Sequence, residues 1–200
     1  MVKMVAERPT AVPESAEQRA RRSRILRAAT RLATKHGFDG VQMHDIAKES
    51  EVAIATLYRY FPSKTHLYTA VMRAQVDSLA RNMPEIDPAL TPGERVSAYL
   101  QHATLVLMAR PLLADALTRA NFSASPDQES IDSDYSFRAH LLRIAGVVEP
   151  TDQEWLVAGL VSRCWFGVLV AHLNGRSTQH EALEELRVAS ELLLARISGE

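Results

Sequence analysis

Apolar residues recur along this chain at intervals of three and four, and nowhere in the period-2 alternation of a half-buried strand, which predicts an all-α fold. Ile25, Ala28, Ala29, Leu32 and Ala33 share one helical face. Ser15, with Gln18 three positions on, forms a capping box that opens this first helix, and Gly37 supplies left-handed backbone to end it, with Phe38 placed to fold back. A short second helix over 43–50 turns Ile46 and Ala47 inward, and a third runs from about Ile54 to Tyr60. Pro62 stops the third helix and Ser63 caps a fourth, which carries Leu67, Ala70, Val71 and Ala74 as a connecting rod. Beyond a linker at 84–92, further helices are predicted over 93–109, 111–122, 130–146, 152–174 and 178–197. The expected domains are a flexible basic arm (1–14), a helix-turn-helix unit (15–62) and a larger helical body (63–200).

The net charge of −1 conceals an asymmetry that changes this picture. Residues 1–75 hold 13 Lys and Arg against 7 Asp and Glu, whereas residues 76–200 hold 10 against 17. A basic front end suits a polyanion, because each phosphate neutralised releases a condensed counterion. The acidic rear faces other partners. Cys164 is the only cysteine, so no intrachain disulfide forms, and its apolar surroundings predict a buried, inert thiol suited to a reducing cytoplasm. The first 14 residues lack the apolar core of a signal peptide and no run approaches the roughly 18 apolar residues of a membrane span, so the expected location is cytoplasmic with no membrane partner.

A DNA-reading helix needs short or polar residues toward base edges and anchors for phosphate on its flanks. Ala53, Ile54 and Ala55 head the third helix and suit close approach and contact with thymine methyls. Thr56, Tyr58, Tyr60 and Lys64 are the expected phosphate anchors, and Arg59 is able to grip guanine in bidentate fashion or to track the backbone. Gln42 and Met43 open the second helix, where terminal amides meet phosphate. The cluster Arg19, Arg21, Arg22 and Arg24 is either a minor-groove arm or a solvated helix face.

The stretch from Arg21 to Met72 resembles the amino-terminal domain of the TetR family of bacterial repressors. Gly37-Phe38, Ile46-Ala47, Val52, Thr56-Leu57-Tyr58, Tyr60-Phe61-Pro62-Ser63-Lys64 and Leu67 carry the likeness in order and spacing. It implies a homodimer on double-stranded operator DNA, a four-helix interface from the last two helices, and an effector pocket in each subunit. Two positions depart from the pattern. Glu51 stands where the turn normally has glycine, which predicts left-handed backbone on a residue with a Cβ, and Met43 stands where a hydroxyl residue usually caps the second helix. The carboxy-terminal half resembles a narrower branch, the KstR-like regulators of sterol and lipid catabolism. Val41-Gln42-Met43, the stretch from Ala53 to Lys64, Arg110-Pro111-Leu112-Leu113, Ala116-Leu117-Thr118-Arg119-Ala120 and Glu149-Pro150-Thr151 carry that likeness, which implies a bulky hydrophobic effector such as a steroid acid or acyl-CoA thioester.

Met108, Leu113, Leu117, Phe122, Trp165 and Phe166 are candidate pocket residues, with Arg119 or Asn121 as a polar handle; plain core packing competes with that reading for each. Ala158, Gly159, Ser162, Gly167 and Ala171 recur as small residues along one helix and suit a dimer seam or tight packing within the chain. The seven histidines show no ligand spacing, and no phosphate loop, nucleophile elbow or His-Glu-x-x-His is present, so neither metal, cofactor nor catalysis is expected. Two rival readings stay open at this stage: an effector-free DNA-binding nucleoid or division-site protein, and, more weakly, a helical enzyme.

Overall fold

One device, used repeatedly, starts the helices. In the computed structural model, which describes residues 15–123, 128–195 and 197 (backbone only for 128–133), Ser15, Thr91, Thr151 and Thr178 each accept the amide of the residue three on. A Gln or Glu at that position reaches back to the cap amide, satisfying two donors that the helix would otherwise leave unpaired. This box opens four of the helices α1 (Ala16–His36), α2 (Met43–Glu49), α3 (Ile54–Tyr60), α4 (Lys64–Asn82), α5 (Pro92–Met108), α6 (Pro111–Ser123), α7 (Gln128–Ala145), α8 (Asp152–Leu173) and α9 (Gln179–Leu194), namely α1, α5, α8 and α9, and no strand occurs among the described residues. The expected basic arm, 1–14, lies outside them. Gly37 does end α1 with a positive φ of 68°, but its ψ of −175° is extended, so the chain leaves straight instead of through a left-handed helical residue.

Residues Ile25, Ala28, Ala29 and Ala33 of α1 close over Ile46 of α2 and Leu57 of α3, all essentially inaccessible to solvent. Helix α4 belongs to both halves of the molecule. Its Leu67, Tyr68 and Val71 are fully buried, and the Tyr68 hydroxyl donates to the Ala29 carbonyl of α1 at 3.3 Å. On its far side α4 packs against α6, whose Leu113, Ala114, Ala116, Leu117 and Ala120 are all inaccessible. Truncating a leucine in such a seam costs about 2–5 kcal/mol, so the rod is fastened at both ends. Arg119 of α6 also reaches Asp39, just after α1, at 3.0 Å, forming a surface tie between body and head.

Helices α5, α7, α8 and α9 complete the body, with α8 and α9 packed side by side. Contrary to expectation, α8 is long and apolar enough by composition to cross a membrane, with a mean hydropathy of 1.7 over its most apolar stretch. Its inner face is nonetheless spent within the bundle. Val161, Trp165 and Leu169 are buried, and the Trp165 indole N–H donates to Thr104 Oγ1 of α5 at 2.9 Å. Its outer face leaves Leu156 and Leu160 exposed, alongside Val188 and Leu192 of α9. Cys164 lies on that outer face as well, which corrects the expected buried thiol: its flank is apolar in sequence, but the helical period turns it outward.

Candidate nucleic-acid interface and effector cavity

Helix α3 is seven residues long and divides cleanly by its period. Leu57 and Tyr60, three apart, point into the head, so the opposite side presents Ala53, Ala55, Tyr58 and Arg59 to solvent, with Ile54 and Thr56 at the margin. Tyr58 is 48% exposed and Tyr60 only 3%. This corrects the expectation of a solvent-facing phosphate donor at Tyr60, whose ring instead packs beside Phe61 and under the Arg59 guanidinium, 5.6 Å from the centroid. Met43 is likewise turned inward, leaving Gln42 as the exposed side chain at the start of α2. There the Asp45 carboxylate accepts the Gln42 amide at 3.0 Å, so an acidic group caps α2 in place of the missing hydroxyl.

Lys64 has a structural task that its sequence position conceals. Its ammonium donates to the carbonyls of Phe38 (2.7 Å) and Val41 (3.0 Å) and sits 4.3 Å from the Phe38 ring centroid, tying the α1–α2 loop to the start of α4. One ammonium proton remains for a phosphate. The turn between α2 and α3 does place Glu51 at φ 55°, the single non-glycine residue with positive φ among those described, as expected at the position usually given to glycine. In the basic cluster, Arg21 pairs with Glu17 at 2.6 Å and Arg22 lies over the Phe61 ring, while Arg19 and Arg24 are exposed.

The body holds a cavity of about 410 Å³ lined by Met72, Val76, Asn121, Phe122, Asp134, Phe137, Ser162, Arg163, Trp165 and Phe166. Its wall is a connected aromatic cluster: Trp165 and Phe166 have ring centroids 5.0 Å apart, Phe137 lies 5.0 Å from Trp165, and Phe122 lies 6.2 Å from Phe166. Asn121, Phe122, Trp165 and Phe166 were anticipated from the sequence and are brought together here. Leu113 and Leu117 are not; they are buried in the packing of α6 and do not line the cavity. Met108 is half-buried in the α5 packing, and Arg119 is committed on the surface to Asp115 (2.9 Å) and Asp39, which corrects its reading as a handle inside the pocket. Sequence reasoning missed Met72, Val76, Asp134, Phe137 and Arg163. The spacing of Met72 and Val76 on α4 was the available signal for two of them.

The small-residue row on α8 also divides. Ala158, Gly159 and Ser162 are buried within the chain, Ser162 against the cavity, so they do not form an outward seam. Gly167 is exposed and Ala171 half-buried, on the side left uncovered with Leu156 and Leu160.

A short reading helix on a basic three-helix head, rodded to a helical body with an apolar cavity, defines a helix-turn-helix DNA-binding regulator. Residues 25–71 match the family described as "Bacterial regulatory proteins, tetR family", and residues 90–193, more than half of the chain, match "Tetracyclin repressor-like, C-terminal domain". The chain belongs to the TetR family of transcriptional regulators. It is 37% identical over 185 residues to the "HTH-type transcriptional repressor KstR" of Rhodococcus jostii (strain RHA1), covering 88% of this chain and 84% of that protein. The protein of the same description from Mycobacterium tuberculosis (strain ATCC 25618 / H37Rv) is 32% identical, covering 90% and 83%. A crystal structure of a TetR transcriptional regulator from Rhodococcus sp. RHA1 superposes with a TM-score of 0.86 at 40% identity, covering 91% of this chain and all of that one.

Proposed function

We propose that this chain represses transcription as a cytoplasmic homodimer, setting two α3 helices into successive major grooves of a pseudo-palindromic operator, and that a bulky hydrophobic effector in the body releases it. The exposed face of α3 carries this reading. Ala53 and Ala55 are short enough to let backbone approach base edges, Ile54 suits a thymine methyl, and Arg59 suits guanine. Thr56, Tyr58 and the free proton of Lys64, with Gln42 at the start of α2, are the groups available to phosphates flanking such a helix. A second copy covering Leu156, Leu160, Gly167 and Ala171 of α8 with Val188 and Leu192 of α9 supplies the two-fold symmetry that a half-site spacing of roughly 34–36 Å requires.

The aromatic cavity supports an effector such as a steroid acid or acyl-CoA thioester and weighs against an effector-free DNA binder, since its volume lies within the roughly 300–1,000 Å³ of small-molecule sites. Met72 and Val76 belong to α4, so filling the cavity pushes on the same rod whose Leu67 and Tyr68 anchor the head. A ligand acts only through its differential affinity for the two head spacings, and a hundredfold loss of operator affinity needs about 2.7 kcal/mol of such coupling. Footprinting on genomic fragments of the native host is the test. A symmetric protected stretch that fades with rising salt, and with added palmitoyl-coenzyme A or a cholanoate, is expected. Absence of symmetric protection at moderate ionic strength overturns the reading.

A further inference from the structure

The aromatic cavity has a charged rim, where Asp134 and Arg163 line it and a second arginine lies close by. Arg163 of α8 lines the cavity, is exposed, and has no ion-pair partner among the described residues. Arg138 of α7 lies beside it: the point where a Cβ of Gly159 would stand is 2.9 Å from Arg138 Nη1 and 3.2 Å from Arg163 Nη1. Asp134, which also lines the cavity, pairs with Arg138 and not with Arg163. Arg138 Nε is buried without a protein partner. Two like charges held this close repel unless an anion lies between them, and guanidinium forks match the planar geometry of carboxylate and the oxygens of phosphate.

Gly159 makes the arrangement possible. Any side chain there collides with the Arg138 guanidinium, whose Cζ is 3.0 Å from the Cβ point, so the bare backbone lets that guanidinium lie flat on α8 next to Arg163. Behind the arginines the lining is apolar, with Phe137, Trp165 and Phe166 forming the wall. One side of the site is therefore aromatic, and the other carries the two guanidiniums with Asp134 and reaches solvent at Arg163.

Building on the effector reading above, we propose that Arg138 and Arg163 form an anion subsite at the cavity rim, so that the effector is an amphiphile with an apolar body and a terminal carboxylate or phosphate, and not a neutral lipid. Asp134 holds Arg138 in the empty site, and the arriving anion takes over that contact. The residues act on binding alone, and no covalent step is involved.

The test uses fluorescence of cis-parinaric acid and of its methyl ester with the full chain. Wild type binds the acid more tightly than the ester. Arg163→Gln and Arg138→Gln each weaken the acid by at least about tenfold, the loss typical of a hydrogen bond to a charged group, while leaving the ester within about twofold. Gly159→Ala, which pushes the guanidiniums off the helix, does the same without removing a charge. Far-UV circular dichroism melts confirm that each variant is folded, and any variant that is not is replaced by Arg163→Lys, which keeps charge but loses the fork and weakens the acid selectively. Displacement by palmitate or by palmitoyl-coenzyme A then separates a carboxylate from a phosphate as the preferred anion. Equal binding of acid and ester, or equal losses for both in the variants, overturns the subsite and leaves the cavity reading standing. Failure of both probes to bind wild type overturns both.

Discussion

The head and the body of this molecule satisfy their polar groups differently. Six buried side-chain atoms lack a protein partner among the described residues, namely Arg95 Nε, Tyr99 Oη, Arg138 Nε, His140 Nε2, Ser177 Oγ and Ser190 Oγ, and all six lie beyond α4. The head has none of them; its Lys64, Ser50 and Tyr68 contacts each end on a backbone carbonyl. A fully paired unit has one favoured arrangement, whereas a unit with unpaired buried groups and a cavity leaves free energy to be gained by a ligand or by a repacked state. The reader is built to be rigid and the sensor to be persuadable, and α4 connects them.

Lys64→Met tests the rigid side most severely. Methionine keeps most of the stem but removes both bonds to the Phe38 and Val41 carbonyls and the contact with the Phe38 ring. Hydrogen bonds to charged groups contribute about 1.5–3 kcal/mol each when buried, and this ammonium is only partly so, which leaves an expected loss of about 2–3 kcal/mol in urea unfolding. Arg59→Ala, exposed and stacked only on Tyr60, should weaken operator binding with little change in stability. A Lys64→Met chain as stable as its parent, with a salt slope of DNA binding lower by about one, would mean that the ammonium serves phosphate and not the loop.

That lysine also marks what local sequence makes readable. The nine helices of the described residues follow from caps, prolines and apolar spacing, because those signals act within four residues: Thr91-Pro92 and Glu94 start α5, and Pro62 ends α3. The positive φ at Glu51 was readable only through the family resemblance, which puts glycine at that position. Lys64 bonds to residues 26 and 23 positions earlier, and no local pattern encodes that pairing. The inward Tyr60 depends on how α3 is rotated against the rest of the head. The cavity draws on α4, α6, α7 and α8, so residues on α6 and α8 such as Phe122 and Trp165 were accessible as large aromatics, whereas Asp134 and Arg163 resembled ordinary surface charge. Direction of a helix face can be read from period; which neighbour it meets cannot.

The body should answer to acid through one buried histidine. The His140 ring sits edge-on to Tyr99, 4.8 Å between centroids, and burial, helped by the positive charge of Arg143 and opposed by Asp77, pushes its pKa down to about 4 from the ordinary 6.5. Between those values the unfolded chain binds a proton that the folded chain refuses, so stability falls as pH drops from about 6.5 toward 4. Because the ring is partly exposed, the expected loss is only about 1 kcal/mol. Glu94 and Glu181, whose carboxylates are held below their usual range by the Thr91 and Thr178 caps, contribute acid sensitivity only further down. His140→Gln should flatten the melting temperature between pH 6.5 and 5. An unchanged slope in that variant would move the acid response elsewhere and weaken the contrast drawn between the two halves.

Glu51→Gly is the smallest effect and the most discriminating test of the head. Left-handed backbone costs a residue with a Cβ about 1–2 kcal/mol, and glycine removes that cost while adding about 0.5–1 kcal/mol of unfolded-state entropy. The net expectation is a gain of about 0.5–1 kcal/mol in urea unfolding, since Glu51 is exposed and its φ is 55°. Operator affinity should hold or rise slightly, because a carboxylate beside the reading helix leaves with the strain. If stability is unchanged but affinity rises, the turn is relaxed and only the charge matters; if stability falls, the glutamate side chain holds the turn and the head carries a stabilising contact that its geometry does not reveal.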